Sequence, residues 1–251
     1  MESLFPLYRN TIFPKEHTMI YVMSDIHGEY DKYRAMLEKI NFSDEDELYI
    51  LGDVIDRGPE PVRILQDMAM RHNVYPVFGN HELMALDVLK ALAVDVTEEN
   101  YATHITTEII NKMYVWQNNG GDVTLAKFKA LPNDERQDLI EYMEEFAPYE
   151  VVKCGKKKFV LVHSTLGSDF DESKPLDSLN YSFLAFDRTS YNKKFFSDEN
   201  TFVVSGHTPT ITIHSSPTVY RMCNNINIDC GAVFGGRLAC LCLDTMKEYY
   251  I

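Results

Sequence analysis

The chain has 251 residues, 45% of them hydrophobic, and a formal net charge of −14 at pH 7. That length supports one sizeable core, and the acidic balance excludes bulk electrostatic binding to nucleic acid or to an anionic membrane. A local cationic site, above all one made by metal ions, stays compatible with it.

The opening stretch "MESLFPLYRNTIFPKEH" mixes charge and apolar residues too evenly for a signal peptide, and no apolar run approaches membrane-spanning length. Short apolar runs then recur, each stopping at a polar turn: "MIYVM" before "SDIHG", "ELYIL" before "GDVIDRG", "VYPVF" before "GNHE", "FVLV" before His163, and "TFVVS" before "GHTP". Such runs predict buried strands. Between the first three lie helical patterns. "EYDKYRAMLEKI" puts Tyr30, Tyr33, Leu37 and Ile40 on one face, and "PEPVRILQDMAMRH" starts at Pro61 and carries Ile64, Leu65 and Met68. The order strand–helix–strand–helix–strand predicts a parallel α/β arrangement.

From 82 to 146 the pattern is helical, in "ELMALDVLKALAV", "ATHITTEIINKMYVW" and "DERQDLIEYMEEF". It is expected to form an insertion or cap, spanning about 84–149, on a single domain of 1–251. A hairpin is predicted where "YEVVKCG" and "KKKFVLVH" meet at Gly155, and the C-terminal part from "ITIHSSPTVYRM" onward predicts several strands closing a second sheet. The five cysteines, Cys154, Cys223, Cys230, Cys240 and Cys242, form no disulfide framework and fit a reducing cytoplasmic compartment. Cys240 and Cys242 share one face of a strand-like run and read as core or surface residues rather than a metal pair.

Ligands of open α/β sheets bind beyond the carboxyl ends of the strands. Here five strand ends carry, in turn, Asp25 and His27, Asp53, Asn80 and His81, His163, and His207. Singly each reads as an ordinary loop residue; together they form a donor set. Asp25, His27, Asp53, Asn80, His163 and His207 mix nitrogen and oxygen ligands, which suits Mn, Fe, Zn or Co. Six donors serve two ions if one carboxylate bridges, an arrangement that clamps the oxygens of an in-line displacement.

"SDIHG", "GDVIDRG" and "GNHE", followed by separated histidines, resemble the calcineurin-like metallophosphoesterases, and the Arg57-bearing second motif resembles their phosphoprotein phosphatase branch. "WQNNGGDVTLAKF" and "IDCGAVFGGRLACLCLD" are similar to the bacterial-type members, which include serine/threonine protein phosphatases and symmetrical diadenosine tetraphosphatases. The resemblance implies an α/β fold with a two-sheet β-sandwich core flanked by helices in α/β/β/α layers. It implies two transition-metal ions, Mn foremost with Fe or Zn as alternatives, and attack on phosphorus by a metal-bound hydroxide. Asp25, His27 and Asp53 would hold the first ion; Asp53, Asn80, His163 and His207 the second. His81 would be the general acid, Asp56 would orient it, and Arg57 would grip phosphate. The family's second arginine falls on Arg188, with Arg221 and Arg237 as alternatives. The expected activity is hydrolysis of phosphoserine or phosphothreonine in proteins, with diadenosine tetraphosphate or another nucleotide as the alternative substrate and an inactive binding protein as the lower-ranked one.

The chain departs from the family in "VHSTLG", where Ser164 and Thr165 follow His163. Glu82 is expected to cap or brace its helix, Trp116 to pack a helix end on the core, and Asp229 to serve either as a buttress of a metal histidine or as a turn carboxylate. His17, His72 and His104 are expected at the surface, and His214 in an ordinary hairpin.

Overall fold

The computed structural model describes residues 18–93, 97–99, 104–190 and 192–251; His17 lies outside them. β1 (Ile20–Met23), α1 (Tyr30–Lys39), β2 (Glu47–Leu51), α2 (Pro61–Ala69) and β3 (Val74–Val77) alternate as the sequence predicts. β1, β2 and β3 pair in parallel, and β9 (Ala239–Cys242) and β10 (Glu248–Tyr250) extend the sheet antiparallel, in the order β10-β9-β1-β2-β3. β3 is an edge strand, which is where a strand proline such as Pro76 is tolerated.

The second sheet has the order β4-β5-β6-β8-β7. β4 (Glu150–Cys154) and β5 (Lys157–Leu161) form the predicted hairpin around Gly155, β6 (Thr201–Ser205) pairs in parallel with β5 and with β8 (Asn225–Asn227), and β7 (Tyr220–Met222) closes the edge.

Strand alternation sorts the core into layers. In β1, Tyr21 and Met23 face the helices while Val22 faces the other sheet; in β2, Leu48 and Ile50 face the helices and Leu51 the other sheet. Phe159, Leu161, Val204 and Ile226 meet Val22, Leu51, Val77 and Leu241 between the sheets. On the outer face of the second sheet, Val160, Val162 and Val203 pack on Leu166, Leu184 and Phe195. The architecture is therefore a two-sheet sandwich flanked by helices, and it aligns the carboxyl ends of β1, β2, β3, β5 and β6 toward one edge of the sandwich.

Between β3 and β4 every regular element among the described residues is helical: α3 (Asn80–Ala93), α4 (Thr107–Trp116), α5 (Asp122–Lys129) and α6 (Asn133–Glu144). α4 begins later than "ATHITTEIINKMYVW" suggests because Thr106 is its N-cap, its side chain accepting from Ile109 N at 3.2 Å. A π-helical turn over Gln117–Gly121, with Gly120 at φ 99°, redirects the chain into α5.

Two short helices lie in the second half, and the second of them replaces an extended reading. α7 (Tyr181–Phe186) is capped by Asn180. α8 (Thr210–His214) occupies "TITIH", which alternates like a strand. Pro209 overrides that pattern: its carbonyl accepts both the amide and the hydroxyl of Thr212, at 2.9 and 2.7 Å, and left-handed Ser215 ends the turn.

Candidate metal centre

The strand ends converge as the donor pattern predicts. Asp53 is buried at the end of β2 and divides its carboxylate between two sides. Its Oδ2 lies 3.4 Å from His27 Nε2 and 3.9 Å from His81 Nε2, while its Oδ1 lies 3.4 Å from His163 Nε2. Asp53 thus belongs to two groups of potential ligands, one with His27 and His81 and one with His163 and His207. Asn80 Oδ1 and His207 Nδ1 stand 3.1 and 3.0 Å from His163 Nε2.

The other ring nitrogens fix the tautomers. His27 Nδ1 faces Ile55 O at 2.8 Å, and His163 Nδ1 faces Leu51 O at 2.6 Å, so whenever either ring is neutral its lone pair sits at Nε2 and points inward. Asp25 lines the same cleft, but its carboxylate is held by Ser24 Oγ and by the His207 amide, the latter at 2.9 Å. It stands outside both close groups.

The electrostatics favour a cation. Burial pushes Asp25 upward, and burial with the charge of Asp25 pushes Asp229 well above the ordinary carboxyl value. Burial opposes charge on His163, yet the Asp53 carboxylate overrides it and raises the ring to about 10. Burial lowers His27 to about 3 and, with the charges of His163 and Arg188, lowers His207 to about 2, so both rings stay neutral with a lone pair to offer. Lone pairs of nitrogen and oxygen crowd together where positive charge is stabilised, and that donor set fits divalent transition-metal ions.

Backbone strain concentrates at these residues. Among the described residues ten non-glycine positions have positive φ, and six are Asp25, His27, Asp53, Asp56, Arg57 and His207. Left-handed backbone at functional sites persists only where the surroundings over-determine it. Glu82 supplies much of that constraint. Its Oε2 accepts the amides of Asp53 and Gly79, each at 2.8 Å, and its Oε1 those of Val54 and Ile55, at 2.9 and 3.3 Å. The expected helix cap is there in the bond to the Gly79 amide, and the same side chain also holds the whole β2 turn. Gly79 is required beside it, because a Cβ there would overlap Asp53 N and Oδ1.

A second network surrounds His81. Asp56, fully buried, accepts from His81 Nδ1 at 2.6 Å through Oδ2. Burial opposes protonation of His81, but Asp53 and then Asp56 outweigh it and raise the ring. The same Oδ2 accepts from Trp116 Nε1 at 2.7 Å, and Oδ1 accepts from Thr124 Oγ1 at 2.6 Å. Trp116 therefore does more than the packing expected of it, and Thr124 was not anticipated at all. Arg57 N donates to Gly120 O at 3.0 Å, so the turn after α4 also props the arginine.

Arg57 points into the cleft, its Nη2 2.8 Å from His81 Nε2 and its Nη1 against His27 Nε2. Arg188 faces it, donating to His207 O at 2.9 Å and lining the same cleft. The alternatives lie elsewhere: Arg221 pairs with Glu248 at 2.8 Å, and Arg237 stacks over Tyr250. Ser164 and Thr165, the departures after His163, hold the arginine's loop, with Thr165 Oγ1 donating to Asp187 Oδ2 at 2.7 Å. Asp229 accepts the Gly231 amide at 2.9 Å and lines the cleft, which is the turn-carboxylate reading. His214 contacts Thr218 O and Tyr220, His72 is exposed and His104 half-buried.

The chain belongs to the calcineurin-like phosphoesterase family, whose model matches residues 18–236. It is 38% identical over 87 residues to a symmetrical bis(5'-nucleosyl)-tetraphosphatase of Wigglesworthia glossinidia brevipalpis, covering 34% of this chain and 32% of that protein. The match thus spans about a third of that relative's length. It is 24% identical over 246 residues to the asymmetrical bis(5'-nucleosyl)-tetraphosphatase PrpE of Bacillus cereus, covering 88% of each. Among solved structures, a putative diadenosine tetraphosphatase superposes with a TM-score of 0.62 at 18% identity, over 95% of both chains. That likeness establishes the shared fold.

Proposed function

We propose that the chain is a two-metal hydrolase of phosphoric esters and anhydrides whose preferred substrate is a nucleoside polyphosphate. One observation carries the chemistry: the Asp53 carboxylate lies between two imidazole clusters, two arginines face the same cleft, and a buried His–Asp pair touches one of them, Arg57.

In this reading Asp25, His27 and Asp53 hold one ion, and Asp53, Asn80, His163 and His207 hold the other. When bound, two such ions supply positive charge beside the phosphoryl group and lower the pKa of water. Arg57 and Arg188 bind the equatorial oxygens, where charge accumulates in the transition state. His81 gives its Nε2 proton to the departing oxygen, and Asp56 at Nδ1 keeps that ring aligned and favours its charged form. Proton donation counts most for an alkoxide and less for a phosphate leaving group, which is already a good one.

The substrate assignment draws on relatives matched over most of their length whose names specify bis(5'-nucleosyl) tetraphosphates. Phosphoserine or phosphothreonine in proteins is the second reading, favoured by the Arg57-bearing turn. Manganese-reconstituted protein assayed on diadenosine tetraphosphate, phosphopeptides and p-nitrophenyl phosphate tests both. Dinucleotide turnover exceeding that of every phosphopeptide supports the first; the reverse order installs the second. Asp53→Asn is expected to abolish manganese binding, and His81→Asn to slow monoester hydrolysis without displacing the metal. Full activity in both variants would remove the mechanism.

A further inference from the structure

The cleft over the candidate ligands has a volume of about 130 Å³. Sites that enclose a drug-sized ligand run to about 300–1,000 Å³. This one admits a phosphoryl group and leaves the remainder of a substrate on the rim. The chain's net charge of −14 gives a polyanion no long-range attraction, so affinity has to come from local contacts at that rim.

Phe234 is such a contact. It lines the cleft and is 64% exposed, unusual for a phenylalanine with no apolar neighbour covering it. The backbone that carries the ring is held in place. It sits on a 3-10 turn, Ala232–Phe234, between left-handed Gly231 and Gly235. Phe234 N and Gly236 N both donate to Gly231 O at 2.9 Å, and Arg237 N closes the loop on Cys230 O at 3.0 Å. A Cβ at Gly236 would overlap Cys230 O, which locks the loop further. The Arg57 guanidinium lies 5.1 Å from the ring centroid, so the ring begins where the phosphate clamp ends. An aromatic face that is exposed on a fixed turn has little conformational entropy left to lose on binding, which is the condition for a stacking platform.

We propose that Phe234 is the platform on which a nucleobase of the substrate stacks, a specificity element that separates nucleotides from other phosphoric esters. This rests on the nucleoside polyphosphate reading above but is tested apart from it, by equilibrium binding. Titrate the manganese-loaded chain with adenosine monophosphate and with ribose 5-phosphate, in wild type, Phe234→Ala and Phe234→Trp. Base stacking on an aromatic side chain supports a preference of about tenfold or more for the nucleotide. That preference is expected to vanish in Phe234→Ala and return in Phe234→Trp, with ribose 5-phosphate affinity unchanged throughout. In turnover, kcat/KM for diadenosine tetraphosphate should fall about tenfold in Phe234→Ala while that for tripolyphosphate, which lacks a base, holds.

Equal wild-type affinity for the two monophosphates overturns the proposal, as does parallel loss for both in Phe234→Ala. Tighter binding of a phosphotyrosine peptide than of the nucleotide, lost in Phe234→Ala, reassigns the ring to aryl phosphopeptides and also overturns it. A base preference that depends on Phe234, without hydrolysis of the dinucleotide, upholds the platform and removes only the substrate reading.

Discussion

Replacing Glu82 with glutamine tests whether one side chain sets the geometry of the β2 turn. The wild-type carboxylate accepts four backbone amides, two on each oxygen. Glutamine keeps one acceptor oxygen and turns an NH2 toward the other two amides, so two charge-assisted hydrogen bonds are lost and two buried N–H groups are stranded. At about 1.5–3 kcal/mol each, the loss is about 3–6 kcal/mol. One gain opposes it. Burial and then the charge of Asp53 push Glu82 above the ordinary carboxyl value, and glutamine removes that repulsion. The amides pull the other way, and because glutamine also leaves two donors facing donors, the loss is expected to win. For a chain of this size about 2–4 °C accompanies each kcal/mol, so the melting temperature should fall by about 6 °C or more. Calorimetric melts give that shift, and manganese titration of the same variant reports whether Asp53 has moved. A melting temperature within about 2 °C of wild type, or above it, would mean that repulsion dominates and that Glu82 is no brace.

Trp116→Phe removes one hydrogen bond from Asp56, and Thr124→Val, which keeps shape, removes two, one to its carboxylate and one from its amide. Both should lower kcat for a monoester by about tenfold with KM changed little, a pattern that a folding defect would not produce. Gly79→Ala forces a Cβ into Asp53 and is expected to cost both stability and manganese affinity, measured by melting and by calorimetric titration. Asp67 is held below the ordinary carboxyl value: burial opposes this, but the hydrogen bonds from Arg71 and Tyr33 prevail. Its contribution is therefore present above the unfolded value of about 3.9 and lost as pH falls through the lower folded value. The melting-temperature deficit of Asp67→Asn should be full at pH 6 and close on acidification; a deficit independent of pH refutes the assignment.

The strand ends were legible because each is a local pattern, an apolar run and a polar stop, and because the stops carry donors. Asp53, His163 and His207 meet as expected on that basis. What pattern could not show is contact across long separations. Trp116 reaches Asp56 over 60 residues, and Thr124 over 68, with no periodicity linking them. Glu82 read as a first-turn helix acid, since nothing local reveals that a buried turn's amides converge on it. Thr210–His214 read as extended because alternating β-branched residues suit a strand, and only the proline before it says otherwise. The helices between β3 and β4 were expected as an insertion or cap from about residue 84; α3 opens at Asn80 and so carries donor residues in its own first turn.

Six left-handed residues in one cleft mean that the fold and the chemistry want different amino acids. Glycine adopts that backbone freely, whereas an L-residue gives up about 1–2 kcal/mol. At Arg57, which is half-buried with φ 67°, a glycine would lose the guanidinium and relax the chain. A laboratory screen that rewards heat resistance alone should therefore drift toward glycine at such positions and return sturdier proteins that no longer work. Selecting on turnover after each round of heating is what would keep the arginine.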